Sequence, residues 1–379
     1  MPIFEKKQVV FMGAFVRFLK KEPVLCIAAV CALLSAIAVP PDRQWLSYID
    51  FRVLGLLWCL MAVVAALRSC GVFEALAYAL LKNSRGGWAL SVALVLLPFF
   101  VSMAVTNDVA LIIFVPFALQ LLSKLDCRKA AAPIVVLQTI AANLGSMATP
   151  VGNPQNLYLY ARYELGAGVF FAAILPLVAV SLVALIAASI PVLPRHLPQL
   201  QMQKPQRMEK RRLIIYLTFF VLCLLSVFRL VEWWVLTILV LARLILKDRK
   251  LLREPDYGLL VTFVCFFILS GNLGRVEAVR NLLQSMMEKS TLLTATLASQ
   301  VISNVPAAVL LSSFTNDWRG LLLGVDIGGL GTPVASLASL ISLKFYLKES
   351  DARPGFYMAL FTIANVIGLV LLLGVTWIL

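Results

Sequence analysis

Long apolar stretches constrain the fold of this chain more than any other feature. Nine of them are long enough to cross a hydrocarbon core of roughly 30 Å. They lie near residues 23–40, 49–67, 131–160, 168–193, 212–230, 233–247, 257–273, 320–344 and 354–378. The chain is 61% hydrophobic and 14% charged, whereas a soluble domain carries about 25% charged residues. Because the apolar runs are continuous and not alternating, we predict an all-α polytopic membrane protein.

Two further segments, 86–122 and 290–315, each place a polar centre between two short apolar arms. Their centres read SMAVTND at 102–108 and SQVISNV at 299–305. We interpret each segment as a re-entrant helical hairpin, which enters the membrane and returns to the same side. A single long span is the alternative for 290–315. The prediction is therefore about nine full spans plus two hairpins.

The two halves of the chain resemble each other at these polar centres. Without gaps, the centres align at an offset of 197 residues, with Asn107 on Asn304. NLGSMATPV at 143–151 matches DIGGLGTPV at 326–334 at an offset of 183, and a weaker match precedes each hairpin. Three matches in the same order indicate an internal duplication.

The distribution of basic residues predicts the orientation of the two halves. With the N-terminus inside and the C-terminus outside, 25 of the 33 Lys and Arg residues fall on the cytoplasmic side, as the positive-inside rule requires. The two hairpins then open from opposite sides, as in the inverted repeats of secondary transporters. Cytoplasmic anchoring also accounts for the net charge of +14, so no nucleic-acid partner is implied. The inner membrane is the expected location.

This topology predicts two inverted repeats joined by a linker. The first is 1–193, with its hairpin at 86–122 and a broken helix at 131–160. The basic cytoplasmic linker is 194–211. The second repeat is 212–379, with its hairpin at 290–315 and a broken helix at 320–344.

Glycine and proline explain why a membrane helix would break in these places. Gly145, Pro150, Gly152 and Pro154 cannot sustain a regular helix, since proline lacks an N–H group and glycine costs about 1 kcal/mol relative to alanine. The freed carbonyl groups suit a cation such as Na⁺, and freed N–H groups suit an anionic or hydroxylated solute. Hydroxyl and amide side chains in the same motifs have both capacities.

Two carboxylates, Asp108 and Asp326, fall inside these motifs at the predicted depth of the membrane centre. An ionised carboxylate there costs several kcal/mol unless it is paired, hydrated or neutralised. Each is therefore a candidate to bind the coupling proton or cation. The alternative is that each only caps a helix or meets water in a cavity.

The sequence argues against other classes of protein. His196 and the seven cysteines show no metal-ligand spacing. The sequence contains no catalytic signature. It also lacks the phosphate-binding glycine loop that an ATP-driven pump would need. We predict no enzyme activity and no cofactor other than bound Na⁺. A passive channel and a subunit of a larger pump remain alternatives.

Four motifs resemble the ion transporter superfamily, within it the arsenite-permease and citrate-transporter-like branch, which is related to divalent anion/sodium symporters. They are TNDVALIIFVP at 106–116, TPVGNPQN at 149–156, SQVISNVPAAVLL at 299–311 and GGLGTPVASLASLI at 328–341. The resemblance covers nearly the whole chain. It implies two inverted repeats around a central site, and its members are often homodimers.

The polar groups of the broken motifs and the resemblance together predict the site residues, and the resemblance itself implies cation sites at Thr106, Asn107 and Gly145 and at Ser303, Asn304 and Gly328. A solute site is expected at Thr106, Asn107, Thr149, Gly152, Asn153, Ser303, Asn304 and Thr332. The coupling-cation residues, with Na⁺ as the candidate metal, are expected to be Asn107, Asp108, Gly145, Asn304, Asp326 and Gly328.

One departure from the family pattern bears on the solute. The first hairpin continues as Thr-Asn-Asp where dicarboxylate symporters have Ser-Asn-Thr, so Asp108 adds negative charge beside the expected site. We predict a secondary active transporter that moves a small anion or oxyanion by alternating access, coupled to Na⁺ or H⁺. Arsenite-type efflux and Na⁺/H⁺ antiport are the alternatives on the same scaffold.

Overall fold

The computed structural model describes residues 22–81, 86–196 and 209–378, with the side chains of residues 80 and 81 left out. Every regular element within these residues is helical. The all-α prediction is therefore confirmed at this level. Most of the predicted cytoplasmic linker and the N-terminal segment 1–21 lie outside the described residues.

The first half of the chain contains nine α-helices and one short 3₁₀ helix, Arg128–Ala130, among the described residues. The α-helices are α1 (Pro23–Ala38), α2 (Trp45–Tyr48), α3 (Phe51–Ser69), α4 (Val72–Leu81), α5 (Gly87–Ser102), α6 (Asn107–Lys124), α7 (Ala131–Ser146), α8 (Pro154–Arg162) and α9 (Ala167–Ser189). The predicted hairpin 86–122 corresponds to α5 and α6. The predicted broken helix 131–160 corresponds to α7 and α8.

The second half also contains nine α-helices and one 3₁₀ helix, Arg249–Arg253, among the described residues. The α-helices are α10 (Lys210–Val227), α11 (Trp233–Lys247), α12 (Tyr257–Arg275), α13 (Glu277–Lys289), α14 (Thr291–Ile302), α15 (Asn304–Leu311), α16 (Trp318–Ile327), α17 (Leu337–Tyr346) and α18 (Pro354–Ile378). Helices α14 and α15 occupy the predicted hairpin 290–315, and α16 and α17 occupy the predicted broken helix 320–344.

Five of these helices are long and apolar enough to cross a membrane. They are α3, α6, α9, α12 and α18. Four others are apolar but shorter: α1 and α5 have 16 residues each, α14 has 12 and α17 has 10. The chain is thus an integral membrane protein, while the count of nine full spans remains a prediction.

Side-chain caps set the starts of several helices. The carboxylates of Asp50 and Asp256 accept hydrogen bonds from the N–H groups of Val53 and Leu259, and so begin α3 and α12 in the same way. Each of these two helices has 19 residues, at an offset of 206. Such caps satisfy N–H groups that the helix itself leaves unpaired.

The helices form two bundles. The frame bundle consists of α1, α3, α10, α11 and α12, in which α1 packs on α12 and α10 and α11 pack on α3. The site bundle consists of α5 to α9 and α14 to α18, in which α5 and α6 pack on α7, and α14 and α15 pack on α16. The bundles meet chiefly where α12 packs on α15, and also where α3 contacts α8.

A buried amide holds α5 against α7. Pro98 has no N–H group to donate to the carbonyl of Leu94, one turn earlier in α5. The side-chain nitrogen of Gln138 donates to that carbonyl at 2.9 Å. Gln138 is completely buried, so this contact satisfies a carbonyl that the proline leaves free.

Candidate functional site

The turn between α5 and α6, residues 103–106, forms the first tip, and residues 147–153 between α7 and α8 form the first break. The hydroxyl of Thr149 donates to the carbonyl of Met103. A Cβ on Gly152 would lie 2.1 Å from the carbonyl oxygen of Ser146 and 2.8 Å from that of Ser102. Only glycine therefore allows the first tip to approach the first break this closely.

The second tip is the single residue Ser303, and the second break is residues 328–336. Ser303 has φ of 73°, a backbone conformation that costs a residue with a side chain about 1–3 kcal/mol. Two hydrogen bonds hold it, since the Asn304 N–H and the Ser303 hydroxyl both donate to the carbonyl of Ala335, at 3.0 and 3.3 Å. The second tip, like the first, is thus anchored to the break of its own half.

Gln300 connects α14 to the second break. Its side-chain nitrogen donates to the carbonyls of Gly328 and Leu330, each at 2.9 Å. Its side-chain oxygen accepts from the N–H of Thr332 at 2.9 Å. These bonds satisfy backbone groups that the interruption of the helix leaves unpaired.

Asn143, near the end of α7, contacts the second break. Its side-chain oxygen accepts from the amide of Asn107 at 2.9 Å and from the hydroxyl of Ser336 at 3.1 Å. Its side-chain nitrogen donates to the carbonyl of Gly329 at 3.4 Å. Asn143 therefore joins the start of α6 to the second break.

Asp326 makes the converse contact, from the second half to the first. Its Oδ1 accepts from the side-chain amides of Asn153 at 3.2 Å and Gln155 at 3.4 Å. The carboxylate is 5% exposed, and its Oδ2 has no hydrogen-bond partner within the described part of the chain. This oxygen is therefore free to bind a proton or a cation.

These side chains form a buried polar layer between the two tips and the two breaks. Its members are Asn107, Asn143, Asn153, Gln155, Asn304, Asp326 and Ser336. The layer contains one carboxylate and no Lys, Arg or His. Amide, carboxylate and carbonyl oxygens are hard ligands, which suit Na⁺ better than a soft metal.

A cavity of about 570 Å³ lies beside this layer, between α3 of the frame bundle and α6 of the site bundle. Thr106 and Asp108 line it from the first tip and the start of α6, and Val151 and Pro154 line it from the first break and α8. Its ionisable lining residues are Glu22, Arg68, Asp108, Arg253, Glu254 and Asp256. Four carboxylates thus face two guanidinium groups.

The structure places the predicted site residues in four environments. Thr106 and Asp108 line the cavity, and the buried polar layer includes Asn107, Asn153, Asn304 and Asp326. The third group lies where the tips pack on the breaks: Gly145, Thr149, Gly152, Ser303 and Gly328. Thr332 is exposed and donates its hydroxyl to the carbonyl of Gln300, outside both the layer and the cavity.

The sequence prediction left out three residues that build the layer or its support: Asn143, Gln300 and Ser336. Two of them had a signal in the sequence. At the offset of 183, Asn143 corresponds to Asp326 and Ser336 corresponds to Asn153. Gln300 had none, because a glutamine in an apolar helix does not reveal which carbonyls it reaches.

Comparisons with known proteins bear on this arrangement. Two relatives match nearly end to end. An uncharacterized transporter of Methanocaldococcus jannaschii is 29% identical over 357 residues, which cover 92% of this chain and 96% of the relative. The inner membrane protein YbiR of Escherichia coli is 30% identical over 341 residues, which cover 87% and 90%.

A shorter match extends to eukaryotes. The silicon efflux transporter LSI3 of Oryza sativa is 34% identical over 128 residues, which cover 34% of this chain and 26% of the relative. The family model described as citrate transporter matches residues 9–315, which is most of the chain. The protein is thus a membrane transporter and not an enzyme, and it belongs to the citrate transporter family.

Proposed function

We propose that this protein is a secondary active transporter that moves a small oxyanion, or the uncharged hydroxylated acid of that anion, by alternating access coupled to Na⁺ or H⁺. The observation that carries the proposal is the reciprocal pairing of each broken helix with the break of the other half, around the buried polar layer. The cavity on one side of that layer, its smaller counterpart in the other half and the free oxygen of Asp326 support it further.

Reciprocal contacts relate the two halves. Asn143 contacts Ser336, and Asp326 contacts Asn153. At the offset of 183, Asn143 is equivalent to Asp326 and Asn153 is equivalent to Ser336. A two-fold relation produces such pairs, because residue i then contacts j while the equivalent of i contacts the equivalent of j. This pairing supports inverted repeats, the architecture in which transporters place a site between two broken helices.

Glycine contacts repeat the pattern within each half. A Cβ on Gly145 would lie 2.7 Å from the Ser102 hydroxyl, and a Cβ on Gly328 would lie 2.8 Å from the Ser299 hydroxyl. The end of the first arm of each hairpin therefore lies beside the break of its own half. If α7 and α8 together cross the membrane, the first tip lies near mid-depth, which supports a re-entrant hairpin.

A smaller pocket of about 420 Å³, which we name the outer pocket, lies at the position that the repeat makes equivalent to the cavity. Five pairs of lining residues are equivalent. With the residue of the cavity given first and that of the outer pocket second, they are Met61 and Phe267, Val64 and Ser270, Ala65 and Gly271, Ile112 and Val309, and Ile341 and Tyr158. The cavity reaches Thr106 at the first tip, whereas the outer pocket does not reach Ser303 at the second. Alternating access requires that the cavity withdraw from Thr106 while the outer pocket extends to Ser303.

The buried polar layer supports cation coupling. A charged carboxylate at the bilayer centre costs at least roughly 2.5–3.5 kcal/mol, and two amide donors to one oxygen of Asp326 leave the other uncompensated. A proton or a Na⁺ ion would remove this cost. Because its binding would neutralise the layer, occupancy could bias the equilibrium between the two states.

The charges of the cavity favour a solute with little negative charge. Four carboxylates and two guanidinium groups line it, and the buried polar layer contributes no cation. A di- or tricarboxylate would therefore meet net repulsion, whereas hydroxyl groups could bond to Thr106 and to carbonyl groups at the first break. The similarity to a silicon efflux transporter leaves efflux as well as uptake open.

The same excess of carboxylates favours one second candidate, a Na⁺/H⁺ antiporter in which the cation is the only cargo. Reconstituted protein separates the two functions. An antiporter exchanges Na⁺ for H⁺ without any solute, whereas the proposed transporter moves a labelled oxyacid such as arsenite, silicate or phosphate only with a cation gradient. A passive channel would show flux without dependence on either gradient.

The coupling role of Asp326 is tested by Asp326→Asn in the same vesicles. Loss of the carboxylate should lower gradient-driven transport about tenfold or more, since the variant cannot carry the cation whose binding stabilises the layer. Exchange of solute between the two sides should persist. The control is Asp126→Asn, because Asp126 is exposed and has φ of 55°, which asparagine tolerates. Unchanged coupling in Asp326→Asn would contradict the assignment.

A further inference from the structure

A second large cavity, of about 800 Å³, lies at the end of the site bundle where α7 and α18 begin. We name it the 126–133 pocket, after the connection between α6 and α7 that lines it. Another wall is formed by Pro194 beyond the end of α9, by Tyr346 at the end of α17, and by Asp351 and Arg353 between α17 and α18. The pocket is separate from the cavity that contains Thr106.

The charges of this pocket are unevenly paired. Arg128 forms an ion pair with Asp351 at 2.9 Å. Lys129 and Arg353 are exposed, and neither side chain forms an ion pair within the described residues. Asp126 is the one remaining carboxylate of the lining. With Arg128 and Asp351 neutralising each other, the pocket keeps an excess of one positive charge.

The described residues that continue from this pocket add no negative charge. They are Pro194, Arg195 and His196. Positive charges that no carboxylate neutralises at a span end are suited to a phosphate group. Helix α18 begins here at Pro354 with no acidic residue in its first turn, so its free N–H groups add to this preference.

One wall of the pocket continues into the lipid-facing surface. Phe356 lies at the rim and is 53% exposed. Helix α18 is the least buried of the five long apolar helices, since only 17% of its most apolar 18-residue stretch is buried inside the protein. A phosphate bound in the pocket would therefore lie beside a surface that acyl chains cover.

We propose that the 126–133 pocket binds an anionic phospholipid, with its phosphate between Lys129 and Arg353 and its acyl chains along α18. Such a lipid would connect the α6–α7 turn of the first half to the α17–α18 turn of the second, the two turns that Arg128 and Asp351 already join. Continuity with the exposed face of α18 favours a lipid over a free phosphate ion. The proposal does not depend on the transported solute or on the coupling ion.

Native mass spectrometry and thermal unfolding of the purified full-length protein test this site. Protein in detergent is titrated separately with phosphatidylglycerol, phosphatidylcholine and inorganic phosphate. We expect phosphatidylglycerol alone to stay bound and to raise the melting temperature. In Lys129→Gln/Arg353→Gln the affinity for phosphatidylglycerol should fall about 30-fold, from the contribution of two basic residues near a lipid headgroup.

The control is Lys247→Gln/Lys250→Gln, which removes two exposed lysines at the end of α11 and should bind phosphatidylglycerol as the unmodified protein does. The melting temperature of each variant in phosphatidylcholine shows whether it folds, and single substitutions replace a double variant that does not. Equal binding by the pocket variant overturns the proposal. So does an equal effect of phosphatidylcholine, or of inorganic phosphate, which would assign the pocket to a soluble anion.

Discussion

Two places where the frame bundle faces the site bundle differ, although the proposed inverted repeat makes them equivalent. At one, α12 packs directly on α15. At the other, the 570 Å³ cavity separates α3 from α6. We name the first the closed seam and the second the open seam. The proposed alternating access accounts for the difference if the helix pairs have two positions against the frame, of which the structure shows one.

The closed seam carries polar and aromatic contacts that its counterpart lacks. The hydroxyl of Ser270 on α12 donates to the Leu310 carbonyl at 3.1 Å and lies 2.9 Å from the hydroxyl of Ser313. The ring of Tyr158 packs against Phe263 and Phe267. At the open seam, Val64 replaces Ser270 and Ile341 replaces Tyr158. The side chains there are aliphatic, so closure of that seam would form fewer specific contacts.

The largest effect is expected from a covalent lock on the closed seam. Ser270→Cys/Ser313→Cys places two thiols where the hydroxyl oxygens lie 2.9 Å apart, within reach of a disulfide. Oxidation should stop transport, because α15 can no longer leave α12, and a reductant should restore it. The assay is solute flux into proteoliposomes, on a background in which the seven native cysteines are replaced.

Each single cysteine variant is the control for this lock. Transport that continues while gel analysis shows complete cross-linking would mean that the closed seam does not open during the cycle. The alternating exchange of the two seams would then be wrong, although a transport function by another movement would remain.

A somewhat smaller effect is expected at the open seam. Val64→Cys and Ile112→Cys both lie in the cavity lining, at the positions equivalent to Ser270 and Val309. If the seams exchange, these thiols approach each other only in the second state, so cross-linking should be slow and should accelerate when a transported solute is present. Reaction rates measured with and without solute check this. No cross-link under any gradient would argue that the cavity does not close.

The two breaks provide a third comparison, on stability. Gly152 and Ala335 are equivalent at the offset of 183, yet a Cβ at Gly152 would meet the carbonyls of Ser146 and Ser102. We expect Gly152→Ala to destabilise the protein by about 1–3 kcal/mol, the usual cost of overpacking. Ala335→Gly should cost less, about 0.5–1 kcal/mol. Melting temperatures of the two variants in the same detergent test the order, and a reversed order would contradict it.

Local sequence patterns predicted where the chain interrupts its helices. Gly145, Pro150, Gly152 and Pro154 lie in or beside the first break because glycine and proline act on their own backbone, which is local information. The two tips were also predicted from local sequence, because each is a polar centre inside an apolar segment. Asp326 was singled out from sequence as a candidate, because a carboxylate inside an apolar run is conspicuous, and its coupling role stays a prediction.

Long-range partners could not be predicted in the same way. The bond between Asn143 and Ser336 joins residues 193 apart, and the repeat offset shows equivalence but not contact. The different surroundings of Thr149 and Thr332 were equally hidden, although both belong to the same motif. Thr149 bonds to the first tip and is partly buried, whereas Thr332 is exposed and bonds to Gln300.

The central claim is that the two halves insert in opposite orientations, and thiol labelling tests it most directly. Cys127, between α6 and α7, and a cysteine introduced at Asn316, between α15 and α16, occupy equivalent turns of the two halves. Each is kept as the single cysteine and treated with a membrane-impermeant reagent in intact cells and in inside-out vesicles. Opposite insertion predicts that position 316 reacts in cells and position 127 only in the vesicles. Labelling of both positions from the same side would contradict the account.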